Sequence, residues 1–274
     1  MARWATLIEQ RRREKSVLLF DTGDFCQIRR TTHQDIKDRL FFEGMKLLGY
    51  DAVAIGEREI KFGRKKLHKF AKQYKLSLIS SNIIDRMTGK LIAKPFVIKD
   101  IGGKRSLFGR KGGLKIGVFS VILPGFVLSV DSKAIDYYNV LDPKIAALEA
   151  VTTLRSKGCD LVIAISHQGW KKSLDLAHDV PGIDIVINSH RSHRRTFRER
   201  IAHTLVVDIG ENKTSFTEIE IAFKGDSLIT NATDVGKILL ESEDHPELIK
   251  LERIYKRETR ARGLKSIRKF SNIL

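Results

Sequence analysis

The chain has few cysteines and no long hydrophobic segment. Its 274 residues include two cysteines, Cys26 and Cys159, which are too few for a disulfide framework and are not spaced as metal ligands. No apolar run approaches the roughly 20 residues that span a bilayer, and the first 15 residues contain no apolar stretch of signal-peptide length. As written, we therefore expect a cytoplasmic protein without membrane spans, and a periplasmic one if its natural start lies upstream.

The one unusual bulk property is charge. Hydrophobic residues make up 42% and charged residues 30%, as in a globular protein with a sizeable core. The net charge of +17 implies attraction to anions such as phosphorylated small molecules, nucleic acid or an acidic membrane surface. No aromatic residues alternate with the basic ones as on a nucleic-acid platform, so most basic clusters are expected to be solvated. These clusters are Arg11–Arg13, Lys61–Lys75, Lys104–Lys115, Arg191–Arg200 and Lys250–Lys269.

Apolar runs alternate with helical patterns along most of the chain, which predicts a largely parallel α/β core. We expect strands at Val17–Phe20, Ala52–Ile55, Leu76–Ser80, Lys94–Lys99, Leu114–Ser120, Leu161–Ile165 and Ile183–Ile187, and helices at 2–14, 33–48, 63–74 and Pro143–Lys157. The Gly- and Lys/Arg-rich segment at 101–113 predicts an exposed loop.

A change of composition at Gly236 suggests that a domain at 1–235 precedes a basic helical tail at 236–274. Just before it, Leu205–Ile209 and Phe216–Phe223 are predicted to form a β-hairpin, and the tail is predicted to contain a helix at His245–Arg260.

Polar side chains stand at the ends of four predicted strands. They are Asp24, Glu57, His167, and His190 with His193. Open α/β sheets place their chemistry at the carboxyl ends of strands, so these side chains are candidates for a shared site. Two carboxylates and two or three imidazoles suit zinc, iron or manganese.

Several sequence blocks resemble the catalytic domain of the 5'-nucleotidase branch of the calcineurin-like metallophosphoesterases. In chain order, between about residues 2 and 223, they are ARWATLIEQRRRE, LLFDTGDF, LLGYDAVAIGEREIKFG, DLVIAISHQG, PGIDIVINSHRSH and TLVVDIGENKTSFTEIEIAF. The resemblance implies an αββα sandwich of mixed, mostly parallel sheets flanked by helices. It also implies metal-dependent hydrolysis of phosphate esters such as nucleotides, with two metal ions bridged by an aspartate.

The resemblance assigns roles residue by residue. Asp24 stands at the bridging aspartate, and His167 and His190 stand at ligands of the second metal. Glu57 replaces that metal's asparagine and keeps an oxygen ligand. Arg58 replaces a family histidine; it cannot act as a general acid at neutral pH, but it could clamp a phosphate.

Three features of the family pattern are not matched. Its opening D-x-H motif, which supplies the first metal's ligands and a central strand, has no counterpart in these 274 residues. Neither does the C-terminal nucleobase domain. His193 falls one residue late for its motif. We therefore expect one divalent ion (zinc, manganese or iron) rather than two. Separately, Asn82 matches a segment of the family's substrate pocket, and the resemblance implies that it is a substrate-binding residue.

Each of these residues also suits a plain structural role. Asp24 could cap a turn, the strand-end histidines could be satisfied by neighbours, and Glu57 could simply pair with Arg58. Asn82 could be an ordinary turn residue, and His193 could belong to a basic loop. Besides a phosphoesterase acting on a phosphorylated small molecule, the sequence therefore leaves open an inactive phosphatase-like scaffold and, third, a basic nucleic-acid-binding protein. It does not predict an oligomeric state.

Overall fold

The computed structural model describes residues 2–26, 34–102, 104–106, 109–111, 113–130, 134–190, 196–210, 217–224, 227–234 and 243–262. The helices in these ranges are α1 (Ala2–Glu14), α2 (Gln34–Leu48), α3 (Gly63–Tyr74), α4 (Pro124–Val130), α5 (Ala134–Tyr137), α6 (Pro143–Ser156), α7 (Trp170–Asp179) and α8 (Pro246–Ala261). A 3-10 turn at Glu59–Phe62 precedes α3.

The strands form two main sheets and three small ones. The smaller main sheet is parallel, with β1 (Phe20–Asp21), β2 (Ala52–Ala54) and β3 (Leu78–Ile79) in that order. The larger main sheet has the order β13-β14-β12-β11-β9-β6, built from β6 (Phe96–Ile101), β9 (Leu114–Ile122), β11 (Leu161–His167), β12 (Ile185–Asn188), β13 (Phe197–Ile201) and β14 (Thr204–Asp208). The small sheets contain β4 (Ile83–Asp85), β5 (Lys90–Leu91) and β10 (Tyr138–Val140); β7 (Lys104–Ser106) and β8 (Gly109–Lys111); and β15 (Thr217–Lys224) and β16 (Ser227–Asp234).

Four inner strands of the larger sheet, β9, β11, β12 and β14, run parallel. Every residue of β11 is buried, which is the pattern of a strand covered on both faces. The outer strands β6 and β13 pair antiparallel to their neighbours. The predicted, largely parallel α/β core is therefore confirmed.

The two main sheets pack face to face, with helices on the outside. Ala52, Ala54 and Ile79 of the smaller sheet meet Val118 and Ile163 of the larger one in a single apolar cluster. On the outer faces, α2 and α3 cover the smaller sheet, and α6 and α7 cover the larger one. The chain is thus the expected αββα sandwich.

Helix α8 packs against α1 and α2. Leu248, Leu251 and Tyr255 lie in one buried cluster with Ile8 and Leu40. None of the helices in the described part of the chain is long and apolar enough to cross a membrane. A boundary between a domain at 1–235 and a tail at 236–274 stays a prediction.

The predicted hairpin between Leu205–Ile209 and Phe216–Phe223 was wrong in its pairing. Strand β14 lies inside the larger sheet between β12 and β13, and β15 pairs with β16. All five residues of β14 are buried, which is the pattern of an inner strand covered on both faces. The predicted loop at 101–113 contains the paired strands β7 and β8.

Candidate metal centre

Four polar side chains converge where the carboxyl ends of both sheets meet. Asp24 follows β1 and Glu57 follows β2 in the smaller sheet, whereas His167 ends β11 and His190 follows β12 in the larger one. One ligand atom from each lies within 4.8 Å of the others. The structure therefore brings together four of the five predicted metal ligands; His193 lies outside the described residues.

Glu57 bridges the two histidines of the cluster. Its Oε2 lies 2.7 Å from His167 Nε2, and its Oε1 lies 3.0 Å from His190 Nδ1. Asp24 Oδ2 lies 3.7 Å from the same His167 nitrogen. Glu57 and His167 are almost fully buried, so these contacts are shielded from water.

The charges of the cluster support one another. Burial by itself would lower the pKa of His167, but hydrogen bonds with Asp24 and Glu57 outweigh burial and raise its pKa to about 10. Burial would raise the pKa of Glu57, yet its hydrogen bonds with His167 and His190 hold that pKa far below the usual range. Both shifts favour the imidazolium and carboxylate forms of the pair, and a bound metal ion would take the place of the imidazolium proton.

The ring of His167 is held in place through Nδ1, the nitrogen that does not face Glu57. Its Nδ1 lies 3.0 Å from the carbonyl oxygen of Thr22 and 2.8 Å from Ser189 Oγ, and that hydroxyl donates to the same carbonyl at 3.1 Å. The ring of His190 stacks on Phe126, with the ring centres 3.7 Å apart. Contacts of this kind orient a metal-binding imidazole so that its other nitrogen faces the ion.

A buried carboxyl shapes the loop that carries Asp24. Glu59 is fully buried and accepts backbone N–H groups from Asp24 at 2.8 Å, Cys26 at 3.0 Å and Gly56 at 3.0 Å. Burial, followed by the charge of Asp24, raises the pKa of Glu59 to about 8. Asp24 has a φ of 65°, a region that non-glycine residues rarely adopt, and these bonds help to hold it there.

Gly56 allows the two loops to approach closely. A Cβ atom at this position would lie 2.4 Å from Asp24 Oδ1 and 2.7 Å from the Asp24 nitrogen. Any side chain would therefore push the Asp24 carboxylate away from its present place.

Arg58 lies at the solvent side of the cluster. Its backbone N–H donates to Asp24 Oδ1 at 3.1 Å, and its Nε lies 3.3 Å from Asp24 Oδ2. The side chain is 40% exposed, so its guanidinium contacts both a cluster carboxylate and solvent.

Asn82, the predicted substrate-binding residue, is bonded to the end of β9, at the residue that pairs with His167 of β11. It is fully buried, and its Nδ2 donates to the carbonyls of Ile122 at 2.8 Å and Leu141 at 3.0 Å. Its Oδ1 accepts the Ile122 N–H at 3.1 Å. A contact between Asn82 and a substrate would have to replace these bonds, so this role stays a prediction.

Sequence reasoning missed Glu59 and Ser189 as supports of the cluster. For Glu59 there was a signal in the sequence, because this residue belongs to the GEREIKFG block that directly follows an apolar strand. A carboxyl group in such a place is a candidate for a specific role, since fully buried carboxyl groups are unusual. Ser189 had none, because its partner His167 is 22 residues away in the sequence.

The donor set suits a divalent transition metal. Two imidazoles and two carboxylates are the ligands that zinc, iron and manganese accept, and the ligand atoms already lie within 4.8 Å of one another. Among the described residues this is the one such cluster found.

Comparison with known proteins finds sequence relatives and solved structures of the same fold. No family model matches the chain. A 5'-nucleotidase of Vibrio cholerae is 30% identical over 189 residues, which cover 66% of this chain and 32% of that protein. The chain has a TM-score of 0.72 and 19% identity to a calcineurin-like phosphoesterase, YfkN of Bacillus subtilis, with 94% and 89% of the two chains covered. The sequence relatives are thus nucleotidases, and the fold is that of a calcineurin-like phosphoesterase.

The solved structures that share this fold differ in the reactions that their names describe. A sulfate thiohydrolase, SoxB of Thermus thermophilus, matches this chain with a TM-score of 0.80 and 15% identity over 95% of this chain and 47% of that one. The chain spans about a third of the length of the curated relatives that it matches. The shared fold therefore leaves the reaction and the substrate to be argued from the site.

Proposed function

We propose that the chain is a metal-dependent phosphoesterase that hydrolyses phosphate esters of small molecules, nucleotides included. The observation that carries the proposal is the convergence of Asp24, Glu57, His167 and His190 within 4.8 Å. The curated relative named 5'-nucleotidase supports the substrate class. A net charge of +17 also favours an anionic substrate.

One divalent ion held by these four residues is the cofactor of the proposal. When bound, such an ion lowers the pKa of water and neutralises phosphate oxygens. Glu57 supplies both carboxylate oxygens toward the cluster, one to each histidine. Ser189 and the Thr22 carbonyl keep the Nε2 of His167 turned toward it. Zinc, manganese and iron all suit this donor set, and the choice among them is a matter for measurement.

Arg58 would hold the phosphate. Its guanidinium is permanently charged, partly exposed, and anchored beside Asp24. A planar fork of N–H donors matches two phosphate oxygens at once. Because arginine does not give up a proton near neutral pH, Arg58 cannot protonate the leaving group. We therefore expect slow turnover that is fastest with good leaving groups.

The test combines metal content with hydrolysis in the 274-residue chain. The protein would be loaded with manganese, zinc or iron, and its bound metal measured by elemental analysis. Hydrolysis would be followed with p-nitrophenyl phosphate esters and with nucleoside 5'-monophosphates. We expect about one ion per chain and turnover that a chelator abolishes.

Two histidine variants make the test specific. His167→Ala should lose the ion and the turnover. His178→Ala should retain both, because His178 is 80% exposed and pairs with Asp179 far from the cluster. No bound ion and no turnover with any of the three metals would remove the proposal. Bound metal without turnover would instead favour the inactive scaffold.

A further inference from the structure

Helix α3 carries a dense concentration of positive charge. Residues 60–84 include seven lysine and arginine residues and no aspartate or glutamate. Leu67, Phe70 and Tyr74 turn one side of α3 into the core, which leaves the other sides to the cations. We call this outer surface the basic face. It consists of Arg64, Lys65, Lys66, Lys69, Lys72 and Lys75.

The cations of the basic face lack acidic partners. None of the six forms an ion pair with a carboxylate of the described residues, and the buried Nε of Arg64 has no hydrogen-bond partner among them either. Exposed cations elsewhere do pair: Arg262 of α8 lies 2.8 Å from Asp35, and Lys144 of α6 lies 3.0 Å from Asp179. The charge of the basic face is therefore not neutralised by ion pairs within the described part of the chain.

Three lysines of the basic face form an exposed stripe. Lys65, Lys69 and Lys72 are all exposed, and their spacing of four and three residues places them on the same side of the helix. At 1.5 Å per residue, the stripe is about 10 Å long. Neighbouring charges in it are closer than the screening length of about 8 Å at physiological ionic strength, so they act together on an anion.

An exposed hairpin tip lies beside α3. Strands β4 and β5 are joined by a tight turn in which Met87 is 90% exposed. Tyr137, which is 57% exposed, adjoins this turn, because its carbonyl accepts the Arg86 N–H at 2.9 Å. Nε2 of His68 in α3 lies 2.8 Å from the carbonyl oxygen of Ile92, directly after β5. The hairpin therefore contacts the helix that carries the basic face.

The hairpin tip does not neutralise the basic face. Its one acid, Asp85, accepts the Thr88 N–H at 3.0 Å and stands beside two cations, Arg86 and Lys90. Asp136, next to Tyr137 in the sequence, brings the local count to two acids and two cations. What the tip adds to the basic face is exposed apolar surface without net charge.

We propose that the basic face and the hairpin tip dock the chain on an anionic phospholipid surface. The lysines would meet the headgroups, which attract juxtaposed cations through their negative potential. Tyr137 and Met87 would enter the interfacial layer, where aromatic and apolar side chains are favoured. Such binding is peripheral and reversible.

The chemistry of this surface favours lipid over nucleic acid. Six of the seven cations in residues 60–84 are lysines, which are compact charges that suit mobile headgroups. Fixed phosphates and base edges are matched better by the planar fork of arginine. Nucleobases stack on aromatic side chains, which gives the exposed Met87 no partner, whereas a bilayer accommodates it.

The proposal does not rest on the proposed hydrolysis. Vesicle binding can be measured on the metal-free chain, and His167→Ala, which removes a cluster ligand, should bind vesicles as the parent does. Failure of either proposal would therefore leave the other standing.

The test is co-sedimentation of the 274-residue chain with lipid vesicles. Vesicles of phosphatidylcholine with about one third phosphatidylserine should bind the chain, whereas pure phosphatidylcholine should not. Because salt screens the attraction, affinity should fall about tenfold or more between roughly 50 and 500 mM salt.

Two triple variants with the same loss of charge locate the surface. The first removes the lysine stripe: K65Q, K69Q and K72Q. The second removes three exposed lysines from α6 and α7, on the opposite outer face of the sandwich: K144Q, K171Q and K172Q. Each cation near the membrane contributes about fivefold to affinity, so the first variant should lose about 100-fold and the second less than about threefold. Equal losses would show that only the total charge matters and would overturn the proposal.

A neutral variant separates a membrane from a soluble polyanion. Met87→Gln combined with Tyr137→Gln keeps the net charge, should weaken vesicle binding about fivefold or more, and should leave the weak binding of a thymidine oligonucleotide of about 20 residues unchanged. Absence of binding to anionic vesicles at low salt would overturn the proposal. Tighter binding of the oligonucleotide than of the vesicles would also overturn it, because that result would assign the basic face to nucleic acid.

Discussion

Replacing Glu59 with alanine tests how the site is held together. The carboxyl of Glu59 accepts three backbone N–H groups, from Asp24, Cys26 and Gly56. It thereby ties the loop after β1 to the loop after β2. Glu59→Ala removes all three acceptor contacts at once and introduces no new charge.

The expected loss of stability follows from those contacts. A buried donor left without a partner costs about 1–3 kcal/mol, so three donors give an upper range of about 3–9 kcal/mol. Asp24 lines a cavity between the two main sheets, where water could replace one lost acceptor. We therefore expect the free energy of unfolding to fall by about 3–5 kcal/mol, a large part of the 5–15 kcal/mol typical of a domain.

Urea denaturation at pH 7 measures this change. Glu149→Ala, on the exposed surface of α6, should stay within about 0.5 kcal/mol of the parent. Glu59→Gln retains an acceptor oxygen and should fall between the two. A loss below about 1 kcal/mol for Glu59→Ala would refute the view that Glu59 supports the Asp24 loop.

Three further changes probe the surroundings of the cluster. Burial raises the pKa of Asp21 to about 7, so between about pH 4 and pH 7 the folded chain keeps a proton that the unfolded chain releases. The free energy of unfolding should therefore fall as the pH rises through this range, by up to about 1.4 kcal/mol per pH unit. In urea denaturation, the free energy of unfolding of Asp21→Asn should change less between pH 4.5 and pH 7.5 than that of the parent. An equal change in parent and variant would contradict the raised pKa of Asp21. Gly56→Ala places a Cβ 2.4 Å from Asp24 Oδ1 and should weaken metal binding at least tenfold by calorimetry; unchanged affinity would argue against Asp24 as a ligand. Ser189→Ala removes the hydroxyl 2.8 Å from His167 Nδ1 and should weaken metal binding about 10–100-fold, with Ser189→Thr retaining most of it; equal losses in both variants would deny the hydroxyl this role.

The strands that deliver the histidines could be predicted because their signal is local. In β11 and β12 a short β-branched run is followed directly by polar residues, and the structure places His167 and His190 at those ends. Helices α1, α2, α3 and α6 were predicted to within one residue at each end for the same reason. A local pattern of apolar residues sufficed for each.

Pairing between distant segments could not be predicted in the same way. Strand β13 has the sequence FRERI and is largely exposed, so it carries no alternation of buried and exposed residues. Because β13 could not be recognised from the sequence, the segment after β14, Phe216–Phe223, was predicted to be the antiparallel neighbour of β14. The support that Glu59 gives to Asp24 spans 35 residues and depends on two sheets meeting, which no local window contains.

The origin of the four cluster residues has a mechanical consequence. Two of these residues come from the smaller sheet and two from the larger one. An ion bound among them would therefore link the two sheets directly. Its binding energy would then resist sliding of one sheet over the other, and would add about 2.7 kcal/mol to stability at a metal concentration one hundred times the dissociation constant. Substitutions deep in the apolar contact between the sheets should consequently be felt first as weaker metal binding, before any helix or strand is lost.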